Sequence, residues 1–141
     1  MKRPLLSLLR STAAATFATA VMAAFAGPFD QAWTTIETDP TRTPDPNVRP
    51  VFVNRVDGQN SIGNRVVIEP GSHMVTVDLP PRKGFSLGTQ ETFDLTTSPC
   101  MRYYIAAKLD TSVGQHWKPF VRRSELIGEC ATKFMTDKSA K

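Results

Sequence analysis

The chain of 141 residues has little of what most enzymes and metal proteins use. It contains two cysteines and two histidines, and it has no C-x-x-C pair, no G-x-S-x-G sequence, no phosphate-binding glycine loop and no calcium loop. The histidines, His73 and His116, have no metal-ligand spacing to either cysteine and no neighbouring nucleophile motif. The sequence therefore predicts no catalytic site, no metal site and no cofactor.

An excess of charge of one sign is also lacking. The whole chain has 17 Lys and Arg against 13 Asp and Glu, a net charge of +4. Lys2, Arg3 and Arg10 lie in an N-terminal segment that we expect to be removed, and without them the chain is close to neutral. A surface that neutralises phosphates has no support in this composition, so we expect no nucleic-acid partner.

The first 26 residues resemble an export signal. A short positive start that ends at Arg10 precedes the uncharged, alanine-rich run 12–25, and Ala24-Phe25-Ala26 has the small-x-small pattern that signal peptidase cuts. We predict cleavage after Ala26 and a periplasmic or secreted mature protein. An uncleaved anchor is the alternative, but the run falls short of the roughly 20 strongly apolar residues that span a bilayer. No later segment is apolar enough to cross a membrane, so we expect no stable membrane insertion after cleavage.

Cys100 and Cys130 both lie in the part of the chain that would be exported. In an oxidising compartment, two such cysteines are expected to form a disulfide. Closing this loop would contribute about 3.5 kcal/mol to stability by restricting the unfolded chain. A redox pair or a metal site is the alternative, but the spacing favours neither. We predict a structural Cys100–Cys130 bridge.

Residues 27–50 contain five prolines with Asp and Thr between them. Proline interrupts helices and central strands, so the segment is predicted to be an extended lead-in. Trp33 and Ile36 lie at near-helical spacing, and residues 30–37 therefore also fit a short turn of helix that packs Trp33 on the domain. A partly ordered arm is the other interpretation.

From Val51 onward, alternating apolar and polar residues predict strands separated by turns. Asp57-Gly58 and Pro70-Gly71 have turn chemistry, and Met101–Leu109 has an apolar side chain at every second position, as expected of a central strand. Val75, Val77 and Leu79 share one face, which indicates a sheet with one face buried. The predicted strands are residues 51–56, 65–69, 72–79, 89–95, 101–109 and 116–122.

The C-terminal part is less regular. Pro119 cannot donate to a strand ladder, which places its strand at an edge or at a bulge. Residues 125–130 fit either a final strand or one helical turn capped by Ser124, and residues 135–141 are predicted to form a flexible tail. Six to seven short strands without a long helix predict one antiparallel β-sandwich over residues 51–134, of the immunoglobulin-like or transthyretin-like kind.

Three short sequences have a familiar layout: Val56-Asp57-Gly58, then Ile68-x-Pro70-Gly71-x-His73-x-Val75-x-Val77, and later Arg102-Tyr103-Tyr104-Ile105. Over residues 51–109 this layout resembles that of PEGA-like small exported β-sandwich proteins of unknown function. Gly84-Phe85 matches the family's glycine-aromatic pair only loosely, and the cysteine pair is not part of that pattern. The resemblance implies a sandwich and a non-catalytic, envelope-associated role, and it assigns no catalytic residues.

A candidate partner surface follows from the alternation in Met101–Leu109. Tyr104 is predicted to lie on the face opposite the core, near Arg102 and Lys108, and His116 and Trp117 complete this surface. An aromatic ring flanked by cations can bind a protein or an anionic polymer. The alternative is an ordinary cross-strand pair of Tyr104 with an aromatic residue of a neighbouring strand.

Two hypotheses about function follow from this. The first is a non-catalytic interaction or structural module of the bacterial cell envelope, with an envelope protein or a wall polymer as its partner. The second is a small secreted metal-binding protein or enzyme that uses His73 or His116. His73 follows a turn, where an imidazole commonly bonds to the neighbouring backbone, and we predict that structural role for it. The sequence does not predict an oligomeric state.

Overall fold

A computed structural model describes residues 27–40, 44–81, 88–112 and 116–135. The predicted signal over 1–26, the Gly84-Phe85 pair and the predicted tail beyond Met135 lie outside these residues. The described residues form nine strands and one helix: β1 (Thr34–Thr38), β2 (Val48–Pro50), β3 (Phe52–Val56), β4 (Gln59–Asn60), β5 (Arg65–Ile68), β6 (Gly71–Leu79), β7 (Thr89–Thr97), β8 (Met101–Leu109), β9 (Trp117–Leu126) and α1 (Gly128–Phe134).

The strands form two sheets. The five-stranded sheet has β8 at its centre, with β9 along one side and both β1 and β2 along the other, and β5 lies outside β1. The four-stranded sheet has the order β4-β3-β6-β7. Only the pairing of β1 with β8 is parallel among the described strands. The predicted all-β sandwich is therefore confirmed.

The main core lies between the two sheets. Val75, Val77 and Leu79 of β6 point inward, as their alternation predicted, and they pack with Ile105 and Leu109 of β8. The bounds of β8 are those predicted, and β6 starts one residue earlier. The strand number exceeds the predicted six to seven because β1, β2 and β4 are short strands without a clear alternating pattern.

Residues 27–50 were predicted to be an extended lead-in without a central strand, and the structure contradicts this. The turn of helix over residues 30–37 is also wrong, because β1 occupies Thr34–Thr38. β1 lies inside the five-stranded sheet, between β8 and β5, and its Ile36 is fully buried in the core. The prolines permit this because they lie on either side of β1 and never within it, so that every residue of β1 keeps its N–H group. The Pro-rich segment thus contributes β1 and β2 to the sheet.

A second, smaller core lies at one end of the five-stranded sheet. It contains Trp33, Ile127 and a disulfide between Cys100 and Cys130, in agreement with the predicted bridge. Residues 125–130 were predicted as either a strand or a helical turn. They contain parts of both, because β9 ends at Leu126 and α1 begins at Gly128. The predicted cap at Ser124 is wrong, since that residue lies within β9.

Candidate functional site

The predicted partner surface exposes little aromatic area, because both of its aromatic side chains are buried. Tyr104 lies on the outer face of β8, as predicted, yet it is only 6% exposed. The Arg123 guanidinium covers it, with its carbon 3.6 Å from the ring centroid, and the Tyr104 hydroxyl donates to Glu125 Oε1 at 2.7 Å. Tyr104 is therefore part of a covered cross-strand network, and the prediction that it contacts a partner is not supported by its burial.

Trp117 must also be removed from that surface. Its side chain points between the sheets, is 5% exposed and belongs to the main core. His116 lies immediately before β9, and Lys108 forms an ion pair with Asp45 at 2.6 Å. The structure brings Arg102 and Tyr104 together, because both donate to Glu125. Trp117 pairs with the last residue of β8, at the other end of that strand from Arg102, so it does not join them.

Alternating charges cross the outer face of the five-stranded sheet. Glu37 Oε1 lies 2.6 Å from Arg65 Nε and 3.0 Å from Arg102 Nε. Arg102 in turn pairs with Glu125 at 2.9 Å, and Glu125 pairs with Arg123 at 3.1 Å. The Tyr104 hydroxyl, with Arg102 and Arg123, holds the pKa of the Glu125 carboxyl below its usual value. Three arginines thus share two glutamates along this row, and each of the five charges has a partner of opposite sign.

The two open sides of the sandwich differ in how they are closed. On one side β7 and β9 meet, and the Trp117 indole N–H donates to Thr89 Oγ1 at 2.7 Å. β9 also has features that discourage further pairing: Pro119, the exposed Lys118, and a bulge at which the register shifts. Pro119 is thus at an edge, as predicted. We call this the closed side.

On the opposite side, the ends of the two sheets are the short hairpin β3–β4 and the strand β5. A cleft of about 430 Å³ separates them. The hairpin contributes Val56, Asp57 and residues 59–61 to its walls, and residues 66–69 and His73 form the rest. We call this the open side. Near it, in the connection from β4 to β5, the Ile62 side chain is 96% exposed.

The hairpin wall of the cleft depends on the predicted Asp57-Gly58 turn. Both residues have positive φ, 51° and 78°, which is the backbone of a tight two-residue hairpin turn. The turn is also bound to β6, because Asp57 Oδ1 accepts a hydrogen bond from the Met74 N–H at 2.8 Å. The turn and β6 therefore fix the orientation of the hairpin.

His73 joins the two walls of the cleft. Its Nδ1 lies 2.7 Å from Asp57 Oδ2, and its Nε2 lies 2.8 Å from the backbone oxygen of Glu69. The imidazole ring thus lies between two hydrogen-bond acceptors, a carboxylate and a carbonyl oxygen. The bond to His73 holds the pKa of Asp57 below its usual value. The predicted bond of His73 to the neighbouring backbone is confirmed, and its ring holds the hairpin against the segment after β5.

The backbone of β5 is paired along one edge only among the described residues. The Thr38 N–H donates to the Asn64 oxygen at 3.2 Å, and Ile36 faces Val66 two residues further along. Hydrogen-bonded pairs alternate in an antiparallel ladder, so the N–H and C=O groups of Arg65 and Val67 point away from β1. Of these two residues, Val67 also lines the cleft.

Sequence reasoning missed the open side. A signal was present in residues 65–68, RVVI, which form a strand with no proline, lysine or bulge. What the sequence did not show is that this strand is last in its sheet. It also did not show that Asp57 meets His73, because Asp57 lies in the turn after β3 and His73 lies in β6.

Comparisons with protein-family models, curated proteins and solved structures found no match to this chain. Within the described residues, no three His, Cys, Asp or Glu side chains are grouped so that they could hold a metal ion. No helix in the same ranges is long and apolar enough to cross a membrane. The case for a function therefore rests on the geometry of the open side.

Proposed function

We propose that the protein is a non-catalytic interaction module of the bacterial cell envelope, exported by a cleaved signal and bound to an envelope protein through its open side. The observation that carries this proposal is the contrast between the two sides of the sandwich. The closed side is bridged by Trp117 and has Pro119 and a bulge on its edge strand. The open side has a cleft and, in β5, an edge strand without proline, lysine or a bulge, although β3 of the hairpin opposite has a bulge.

The chemistry of the cleft suits a polypeptide. Its walls combine apolar side chains, such as Val66 and Ile68, with the amides of Gln59 and Asn60. Sites of this composition bury apolar groups and use a few polar groups to fix orientation. No Trp, Tyr or Phe is among the residues lining it, so a flat aromatic surface for a sugar ring is not part of its described walls. This favours an envelope protein over a wall polymer.

Two features support the export part of the proposal. The Gly27 N–H donates to Asp30 Oδ2 at 2.6 Å, and the Asp30 N–H donates back to the Gly27 oxygen at 3.0 Å. Cleavage after Ala26 would place a charged α-ammonium at Gly27, where the Asp30 carboxylate would pair with it more strongly than with an amide. The Cys100–Cys130 disulfide also suits an oxidising compartment.

Two measurements test these parts separately. Cell fractionation and N-terminal sequencing of the mature protein should give an envelope fraction that begins at Gly27, and a cytoplasmic protein with an intact N-terminus would contradict export. A photo-crosslinking residue at position 62, beside the cleft, should give a discrete adduct in intact cells. The matched control is the same residue at position 92, on the exposed outer face of β7. Equal labelling at both positions, or none, would contradict binding at the open side.

A further inference from the structure

We infer that the ligand of the open side is an extended peptide segment of another protein, and that it joins the five-stranded sheet as an additional strand beside β5. The inference rests on the proposed function and specifies how the partner is held. It is carried by the backbone of β5, by the absence of features that protect this edge, and by the shape of the neighbouring cleft.

The backbone of β5 provides the first argument. The backbone groups of residues 64, 66 and 68 are directed toward β1, whereas the N–H and C=O groups of Arg65 and Val67 point away from β1 along the open edge of the sheet. Val67 also lines the cleft. An extended peptide can satisfy all four groups with the regular ladder that β1 forms on the other edge. Main-chain pairing of this kind gives affinity without requiring one particular sequence.

The edge itself provides the second argument. Sheet edges are commonly protected by proline, lysine, bulges or covering elements. The edge strand β9 has Pro119, Lys118 and a bulge, but β5 has none of these along Arg65–Ile68. Its charged residue, Arg65, is directed to Glu37 on the outer face. Strand β7 also lacks proline, lysine and a bulge, but it lies on the closed side, where Trp117 bonds to Thr89. Among the described residues, β5 is the edge strand without these features that borders the cleft.

The cleft provides the third argument, because it decides which side chains the added strand can carry. Side chains of a strand alternate between the two faces of a sheet. On a strand beside β5, every second side chain would enter the cleft between Val66 or Ile68 and the amides of the hairpin. We therefore expect apolar, β-branched residues at alternate positions of the ligand, and polar residues at the positions between them, near the charged outer face.

A second copy of this chain fits the site less well. If two β5 strands paired edge to edge, Val66 and Ile68 of each would still face the core of their own sandwich and could not fill the cleft of the other. The two β3–β4 hairpins would also approach each other across the junction. A peptide segment that belongs to no sheet can enter the cleft, and this geometry favours it as the occupant.

The test uses the full mature protein with its disulfide intact and a displayed library of random linear peptides as the probe. Peptides selected on the protein are then measured against Val67→Pro and against the matched control Val67→Thr. Proline removes the outward N–H of Val67 but no bond to β1, and its ring obstructs the approaching strand. We expect affinity to fall about tenfold or more for Val67→Pro. Val67→Thr keeps the N–H and the branched shape, and should bind like the original protein.

A second measurement does not depend on how well the proline variant folds. Each amide of a selected peptide is N-methylated in turn, and binding to the unchanged protein is measured. Strand addition predicts that methylation weakens binding at alternate positions only, because alternate amides face β5. Loss of binding at successive positions, or equal binding of selected peptides to Val67→Pro and Val67→Thr, would overturn the inference.

The outcomes also separate the inference from the proposed function. If crosslinking at position 62 succeeds but Val67→Pro and the methylated peptides bind normally, strand addition is wrong and the open side is still the binding site. If no peptide is selected, the inference is overturned. Self-association through β5 that is abolished by Val67→Pro would also overturn it, because the occupant would then be a second copy.

Discussion

The closed and open sides of this sandwich differ in how their strand edges are covered. Each side exposes the last strand of two sheets, and an exposed strand edge is a template for pairing. The closed side fills the gap between its sheets with the Trp117 ring and places Pro119 and a bulge on the edge. The open side has a cleft instead, with β5 unprotected. If the proposed function is right, the closed side contributes stability and the open side binds the partner.

The largest effect is expected from opening the closed side. Trp117→Ala would remove a buried indole from the core and leave a cavity, and we expect a loss of about 4 kcal/mol in the free energy of unfolding. Chemical denaturation measures it. The control is Trp117→Phe, which keeps a ring and loses the bond to Thr89, and should cost about 1 kcal/mol beyond the small difference in ring size. A Trp117→Ala variant as stable as the original protein would mean that this side is not closed by packing.

Removing the disulfide tests how much the small core beside β5 contributes to stability. Val67 packs against the small core that contains Cys100 and Cys130. Replacing both cysteines by serine should lower the free energy of unfolding by about 3.5 kcal/mol, because the unfolded chain is no longer restricted. Denaturation of the double variant, compared with the original protein before and after reduction, measures this. Equal stability of the reduced and oxidised protein would show that the bridge contributes nothing.

Hydrogen exchange sharpens the comparison residue by residue. The amides of Val66 and Ile68 should exchange slowly, because they bond to β1, whereas those of Arg65 and Val67 should exchange much faster. Exchange followed by NMR in the free protein gives the four rates. Slow exchange of all four amides would show that something already covers this edge. A selected peptide should slow Arg65 and Val67 and leave the other two unchanged.

The smallest effect concerns the Asp57–His73 contact beside the cleft. The pKa of Asp57 is lowered in the folded protein from its usual 3.8, chiefly by His73. Its ionised form therefore stabilises the fold above pH 3.8, and this contribution is lost as the pH falls through the lower folded pKa. Asp57→Asn keeps a residue that tolerates positive φ, and should make stability depend less on pH in that acidic range. Denaturation midpoints across pH measure it, and an unchanged dependence would contradict the role of this contact.

Much of the sandwich could be predicted because several long strands have their buried side chains at alternate positions of the local sequence. β8 has an apolar residue at every second of its nine positions, and β6 has Val75, Val77 and Leu79 on one face. The Asp57-Gly58 turn has the residue types that positive φ requires. β1 could not be found in the same way. Its buried residues include Thr34 and Thr35, which are polar and adjacent. They form no alternating apolar pattern, so the sequence alone does not indicate that this strand is buried.

The site was less predictable than the fold. Tyr104 was placed on the correct face, but its burial depends on Arg123, which reaches it from the neighbouring strand. The role of His73 toward the backbone was predicted from the preceding turn, whereas its bond to Asp57 joins two strands. Local sequence indicates which face a side chain occupies. It does not indicate which distant side chain lies above it.

The sequence by itself determined the strand-forming segments, their buried faces, the tight turn and the choice of the two cysteines, because each depends on neighbouring residues or on composition. Only the tertiary structure decided that a strand from the proline-rich segment pairs in parallel with β8, that Trp117 closes one side, and that β5 ends the other. Those outcomes depend on which strands become neighbours, and strand pairing joins residues that lie far apart along the chain.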